Sequence, residues 1–148
     1  MNRISVRKQS GFSLIEIMVV VVIISVLAGL IAPNIIGKAA EARVTAAKVD
    51  LKSIAQSLDA YKLDNFHYPS SDQGLQALIT QPDGSPSAKN WRKGGYIQGK
   101  NVPKDPWGLE YQYLSPGVDG PYDLYSLGAD GREGGEDDNA DVSVWDES

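Results

Sequence analysis

Apolar residues crowd the first quarter of the chain and then thin into a periodic pattern. From Phe12 to Ala32 the sequence reads FSLIEIMVVVVIISVLAGLIA, with Glu16 as its one charged residue. At 1.5 Å per residue such a run forms a helix about 30 Å long, the thickness of a bilayer's hydrocarbon core. Pro33 then removes a backbone hydrogen bond, which predicts a kink or weak point over Gly29–Pro33. Beyond it Val44, Ala47, Leu51, Ile54, Leu58 and Tyr61 recur at spacings of three and four. That is one apolar face of an amphipathic helix. Glu41, Arg43, Lys48, Asp50, Lys52, Asp59 and Lys62 fill other positions. The pattern predicts one long helix from about Phe12 to Leu63, its first half in lipid and its second half roofing a small domain. A dimerising coiled coil through the same seam is the weaker reading, because the seam is short and rich in alanine.

Tyr68-Pro69 breaks the helix, and Ser70-x-x-Gln73 has the spacing of a capping box opening a short helix over Leu75–Thr80. Residues 82–106 are rich in Pro, Gly, Ser and Lys and predict an irregular surface loop. Alternation returns in Gly108–Ser115 and in Tyr122–Leu127, with the turn signal Pro116-Gly117 between them. These read as an antiparallel hairpin or meander. Helix first and strands after gives an α+β fold, a long N-terminal helix packed on a small antiparallel sheet.

Charge changes this picture at both ends. Arg3, Arg7 and Lys8 precede the apolar run with no acid among residues 1–11. That bias places the N-terminus in the cytoplasm and the remainder across the membrane. The run is long for a discarded secretory signal, although Ala28, Gly29 and Ala32 supply the small residues one would need. Glu16 also argues against that reading. A carboxylate at bilayer depth costs on the order of 2.5–3.5 kcal/mol, so it persists only when neutralised or paired. No basic residue lies in the run, so any partner must come from elsewhere.

The stretch Lys8-Gln-Ser-Gly11-Phe12-Ser-Leu-Ile-Glu16 resembles the class III signal of type IV pilins and pseudopilins. The resemblance implies cleavage after Gly11 by a prepilin peptidase and N-methylation of Phe12. Residues 1–11 are then the leader, residues 12–33 the transmembrane and filament-core helix, and residues 34–148 a periplasmic head. Cleavage there creates an ammonium group one helical turn from Glu16, and in a helical stack that cation on one subunit can neutralise the Glu16 carboxylate of its neighbour. Glu16 is thus the expected assembly residue. Tyr68-Pro-Ser-Ser-Asp-Gln-Gly-Leu75, Asp105-Pro-Trp-Gly108 and Tyr125-Ser-Leu-Gly-Ala-Asp-Gly-Arg-Glu-Gly-Gly135 extend the similarity along nearly the whole chain. In that order they look like the major pseudopilin of type II secretion. Adhesion and motility pilins share the start but typically close a C-terminal loop with a disulfide, and this chain has no cysteine.

Eight acids lie between Asp130 and Glu147 against Arg132 alone. By itself such a cluster is a solvated tail or a divalent-cation site. Its donors are hard oxygens with interspersed glycines, which suits Ca²⁺ better than magnesium, and no His/Cys set exists for softer metals. Asp137-x-Asn139-x-Asp141 is like the front of an EF-hand loop, but Val142 stands where that loop needs glycine. The family resemblance implies a Ca²⁺ site within residues 127–141. Its ligands would come from the Leu127 carbonyl and the side chains of Asp130, Asp137, Asp138, Asn139 and Asp141, with the cation replacing the missing disulfide as staple.

The net charge of −5, with no basic stripe, excludes nucleic acid as the main partner. His67 is the one histidine, which leaves a nucleophilic triad or a Cys-His pair little to build on and points away from an enzyme. It reads as a packing residue, and Trp91, Trp107 and Trp145 read as core or subunit-contact residues. The expected partners, all implied by the resemblance, are further copies of this chain in a homopolymer, minor pseudopilins, the inner-membrane assembly platform with its ATPase, and the prepilin peptidase. The expected location is the bacterial inner membrane, single-pass, with a periplasmic C-terminal domain. Two other readings are a type IV pilin for adhesion or motility and a membrane-anchored calcium-dependent binding module.

Overall fold

The structure, a computed structural model, describes residues 12–146; the side chains of residues 30–36 are outside the description. The leader and Gly11 fall outside the described residues, and Phe12 is the first one inside them. The chain divides into two compact units after Lys38.

Helix α1 spans Leu14–Asn65, 52 residues, and its assignment runs through Pro33 without interruption. Its start is a reciprocal capping box. The Ser13 N–H donates to Glu16 Oε2 at 3.4 Å and the Glu16 N–H donates to Ser13 Oγ at 3.2 Å, satisfying donors that a helix N-terminus leaves free. The Ser25 hydroxyl donates to the Val21 carbonyl at 2.7 Å, so this polar group is satisfied within the helix. The helix ends at Phe66, which sits in the left-handed region at φ 69 and donates its N–H to the Lys62 carbonyl. Glycine usually occupies that position, and a bulky residue there is uncommon.

In the first unit the apolar side chains have no cover. Every large hydrophobic described from Leu14 to Leu27 is exposed, from 47% at Val20 to 83% at Leu14. No helix among the described residues is long and apolar enough to cross a membrane. The run expected to do so continues to Ala32, into the side chains outside the description.

In the second unit the helical seam is the core. Ala47, Leu51, Ile54, Leu58 and Tyr61 are all buried, and Val44 packs against them half-buried. Val49 and Leu63, off that face, are exposed. The Ser70–Gln73 capping box forms in both directions. It leads into a single 3₁₀ turn, Leu75–Leu78, rather than the longer helix expected. Leu75, Ala77 and Leu78 of that turn are buried against the seam.

The sheet has three antiparallel strands in the order β1-β2-β3. They are β1 Gln112–Leu114, β2 Asp123–Ser126 and β3 Val142–Ser143. Gln112 faces Tyr125 and Leu114 faces Asp123 across the hairpin, while Ser126 faces Val142 on the other side. The hairpin was expected. Strand β3 was not, because Val142 follows the acidic stretch directly and two residues carry no readable alternation. The first expected strand is shorter at its start because Asp105 Oδ1 accepts the N–H groups of Trp107 and Leu109, curling residues 105–109 into a turn.

Residues 82–106 are irregular, as expected, but they are tied to the core. The Trp91 indole donates to the Ala77 carbonyl at 2.8 Å, and the Tyr96 N–H to the Leu78 carbonyl at 2.7 Å. Asn65, buried at the end of α1, donates to the Tyr96 hydroxyl and accepts from the Asn90 N–H. His67 is a packing residue: its ring meets Tyr61 edge-on, Nδ1 lies 3.0 Å from the Tyr68 carbonyl and Nε2 3.4 Å from that of Ser87.

Candidate functional site

Two places carry the chemistry anticipated from the sequence, the start of α1 and the acidic loop. At the first, Glu16 makes the Ser13 capping contact and no ion pair with any described residue. Its carboxylate therefore has one hydrogen-bond donor and no counter-charge among the described residues.

At the second, residues 127–141 join β2 to β3 and both limbs are pinned. The Ala129 N–H donates to the Asp138 carbonyl at 2.9 Å. Gly128 takes φ +65, and a Cβ there would stand 2.8 Å from the Ala140 carbonyl oxygen. Gly135 takes φ +99, and a Cβ there would collide with the Asn139 carbonyl oxygen. Both are positions where only glycine permits the left-handed backbone and the close approach. Between them Asp137–Asn139 form a 3₁₀ turn, with Asp137 itself left-handed at φ 54.

The predicted ligands have different surroundings. Asp130, Asp137 and Asn139 are exposed, and Asp130 Oδ1 accepts the Arg132 N–H at 3.1 Å. Asp138 is half-buried. Its Oδ1 accepts the Trp107 indole N–H at 3.1 Å, and its Oδ2 lies 3.5 Å from the Arg43 guanidinium. Asp141 Oδ2 accepts the Gly134 N–H at 3.0 Å, whereas its Oδ1 is buried with no hydrogen-bond partner. An anionic oxygen in that state is costly unless a cation reaches it. Burial first, then the charges of Glu133, Asp141 and Asp123, push the Tyr125 phenol up. Among the described residues no three His, Cys, Asp or Glu side chains are gathered closely enough to hold a metal ion.

Reading the residues as ligands missed their supports. Asp105 is buried; its Oδ2 accepts the Ser126 hydroxyl at 2.6 Å, and Ser126 Oγ accepts the Gly128 N–H at 3.2 Å. The Asp105-Pro-Trp-Gly108 stretch stood out in the sequence only as part of the family resemblance, and nothing in its spacing said that it would form a turn or which distant segment it would hold.

An exposed apolar helical segment in the first unit, a compact α+β second unit and an acidic loop pinned between two of its strands define a pilin-like subunit. The family described as "Type II secretion system (T2SS), protein G" matches residues 34–145, and the "Prokaryotic N-terminal methylation motif" matches residues 6–32. The type II secretion system core protein G of Pseudomonas aeruginosa is 60% identical over 140 residues, covering 95% of this chain and 97% of that protein. The protein of the same name from Vibrio cholerae is 52% identical over 139 residues, covering 94% and 93%. The crystal structure of the major pseudopilin from the type 2 secretion system of enterohaemorrhagic Escherichia coli superposes with a TM-score of 0.67 at 40% identity, covering 76% of this chain and 95% of that one. This chain belongs to the protein G family of type II secretion.

Proposed function

We propose that the chain is the major structural subunit of a type II secretion pseudopilus, a periplasmic filament whose growth drives folded proteins across the outer membrane. One observation carries this reading. From Leu14 to Leu27 the large apolar side chains of α1 are exposed around the whole circumference, with no face buried among the described residues. A helix apolar on all sides needs lipid or other such helices around it. The precursor satisfies that need in the inner membrane, with its head periplasmic, and the filament satisfies it with neighbouring subunits.

Processing by the prepilin peptidase after Gly11, with N-methylation of Phe12, would supply the cation that Glu16 lacks. The ammonium group of one subunit pairs with the Glu16 carboxylate of the next, so register and assembly are coupled. Minor pseudopilins, the assembly platform and its ATPase are the partners this role calls for. Mass spectrometry of the mature protein tests the reading directly: the expected N-terminus is a methylated Phe12. Any other start removes the cation from Glu16's reach and with it the proposal.

The head would take Ca²⁺ in the 127–141 loop. Support comes from the unpartnered Asp141 Oδ1, the hard-oxygen donor set and the two glycines that let the limbs close on each other. Asp141, Asp138, Asp137, Asn139 and Asp130, with the Leu127 carbonyl, are the residues that would hold it. The ion supplies neutralisation and a cross-link between the limbs, the part a disulfide plays elsewhere.

A further inference from the structure

We infer that two copies of this chain meet head-to-tail, with the β1–β2 hairpin tip of one, Val118 and Asp119, seated in a groove beside Lys104 of the next. This rests on the polymer reading above and names the surfaces such a polymer would use.

Charge on the head is divided along the sequence. Residues 84–104 carry Lys89, Arg92, Lys93, Lys100 and Lys104 and no acid, whereas residues 110–146 carry ten acids against Arg132 alone. All five of those basic residues are exposed. Arg92 pairs with Asp64, while Lys100, Lys104 and Asp119 form no ion pair among the described residues. Each of these surfaces repels its own kind and attracts the other. A second copy therefore fits by presenting its acidic part to the basic part, and a symmetric contact of like with like is disfavoured.

Within the acidic part the hairpin tip has the shape of a plug. Val118, at 85%, is the most exposed large hydrophobic among the described residues. Its backbone is braced: Asp123 Oδ2 accepts the Val118 N–H at 2.7 Å and Oδ1 the Asp119 N–H at 3.1 Å. The Trp145 indole donates to the Tyr122 carbonyl at 2.9 Å and holds the returning limb. A tip fixed in advance gives up little freedom when it docks.

The basic part borders a groove of about 670 Å³ beside the Leu75–Leu78 turn, walled by Leu75, Val102, Tyr111 and Tyr113. Lys104 and Glu110 line it too and are bridged through their backbones. The apolar walls suit the Val118 side chain, and Lys104 offers Asp119 a counter-charge. None of the lining residues comes from the hairpin loop 115–122, so the plug has to come from another copy. Plug and groove are different surfaces, so every docked copy still presents one of each and the contact propagates instead of closing a pair.

The chain has no cysteine, so engineered ones report the contact cleanly. Full-length Val102→Cys and Val118→Cys variants are produced together in cells carrying the secretion machinery, and mild oxidant is added. Disulfide-linked dimers should form only when both variants are present. Dimers from Val118→Cys alone would mean that two tips meet symmetrically, and Val118→Cys linked to a different protein would make that protein the occupant; either overturns the inference. The second arm exchanges charges between exposed positions. Asp119→Lys and Lys104→Asp should each cut filament yield about tenfold or more with unchanged melting temperature, and the double variant should recover most of it. Unchanged yield in both single variants, or no recovery in the double, overturns the inference while the polymer reading stands. An unaltered chain that forms no filaments would sink the polymer reading, and this inference with it.

Discussion

Ser13 and Glu16 bond each other in both directions, N–H to Oε2 at 3.4 Å and N–H to Oγ at 3.2 Å. The carboxylate therefore serves its own helix before it serves any neighbour. Two roles for Glu16, cap and intersubunit ion-pair partner, can be separated because glutamine also closes a capping box but carries no charge. Glu16→Gln should keep the helix start and peptidase processing while reducing assembled filaments at least tenfold. Electron microscopy of sheared filaments, beside immunoblots of processed subunit, reads both. Normal filament yield from Glu16→Gln would show that capping suffices and that the charge is not what assembly uses.

Leu58 and Leu63 are five positions apart on α1 and have opposite surroundings, 0% and 77% exposed. Leu58→Ala opens a cavity in the seam and should lower the head's stability by about 2–5 kcal/mol, a large share of the 5–15 typical of a domain. Leu63→Ala removes no packing and should stay within about 0.5 kcal/mol. Urea unfolding followed by tryptophan fluorescence measures both. Equal losses at the two sites would mean that Leu63 is covered in the solution form.

Asp141 holds the Gly134 N–H with one oxygen and leaves the other buried and unpartnered. Asp141→Asn keeps an acceptor for that N–H and removes the negative charge. In chelator the variant should melt within about 2 °C of the unaltered chain, since Oδ1 has no partner to lose. In calcium the two should diverge. A ligand at a hundredfold excess over its Kd stabilises by about 2.7 kcal/mol, roughly 10 °C for a domain near 100 residues. The variant should lose most of that gain. A calcium-dependent shift that survives Asp141→Asn would place the ion elsewhere.

The helix was legible in the sequence to within two residues at either end, because its seam has a strong 3.6-residue period and its apolar run opens abruptly at Phe12. The hairpin was legible for the same reason, alternation around Pro116-Gly117. Strand β3 was not, since Val142–Ser143 pairs only through Ser126 and Tyr125 and two residues hold no period. The acidic loop was legible as a set of donors and not as a geometry. Which carboxylates are already engaged depends on Arg43 and Trp107, 95 and 31 residues from Asp138, and that pairing leaves no local mark. Pattern reports elements; the supports of a loop come from whatever the fold brings alongside it.

The head's tyrosines make its stability sensitive to high pH. Burial, before any other influence, pushes the Tyr113 phenol up to about 12 from its ordinary 10. Tyr68 rises to about 12 as well, first through burial and then through its hydrogen bond to Asp59. Tyr111 and Tyr122 are also pushed up, chiefly by burial. In each case the folded state holds the proton more tightly than the unfolded chain. The stabilisation is complete below pH 10, where both states are protonated, and is lost as the pH rises through about 12. The melting temperature should be nearly flat from pH 7 to 9 and fall steeply between 10 and 12, in step with phenolate absorbance near 295 nm. Tyr113→Phe separates this from general alkaline damage. It gives up the hydrogen bond to the Pro69 carbonyl, so it should be less stable at pH 8, yet its fall between pH 10 and 12 should be shallower because one proton fewer is released. If the variant falls as steeply as the unaltered chain, Tyr113 does not govern the alkaline transition.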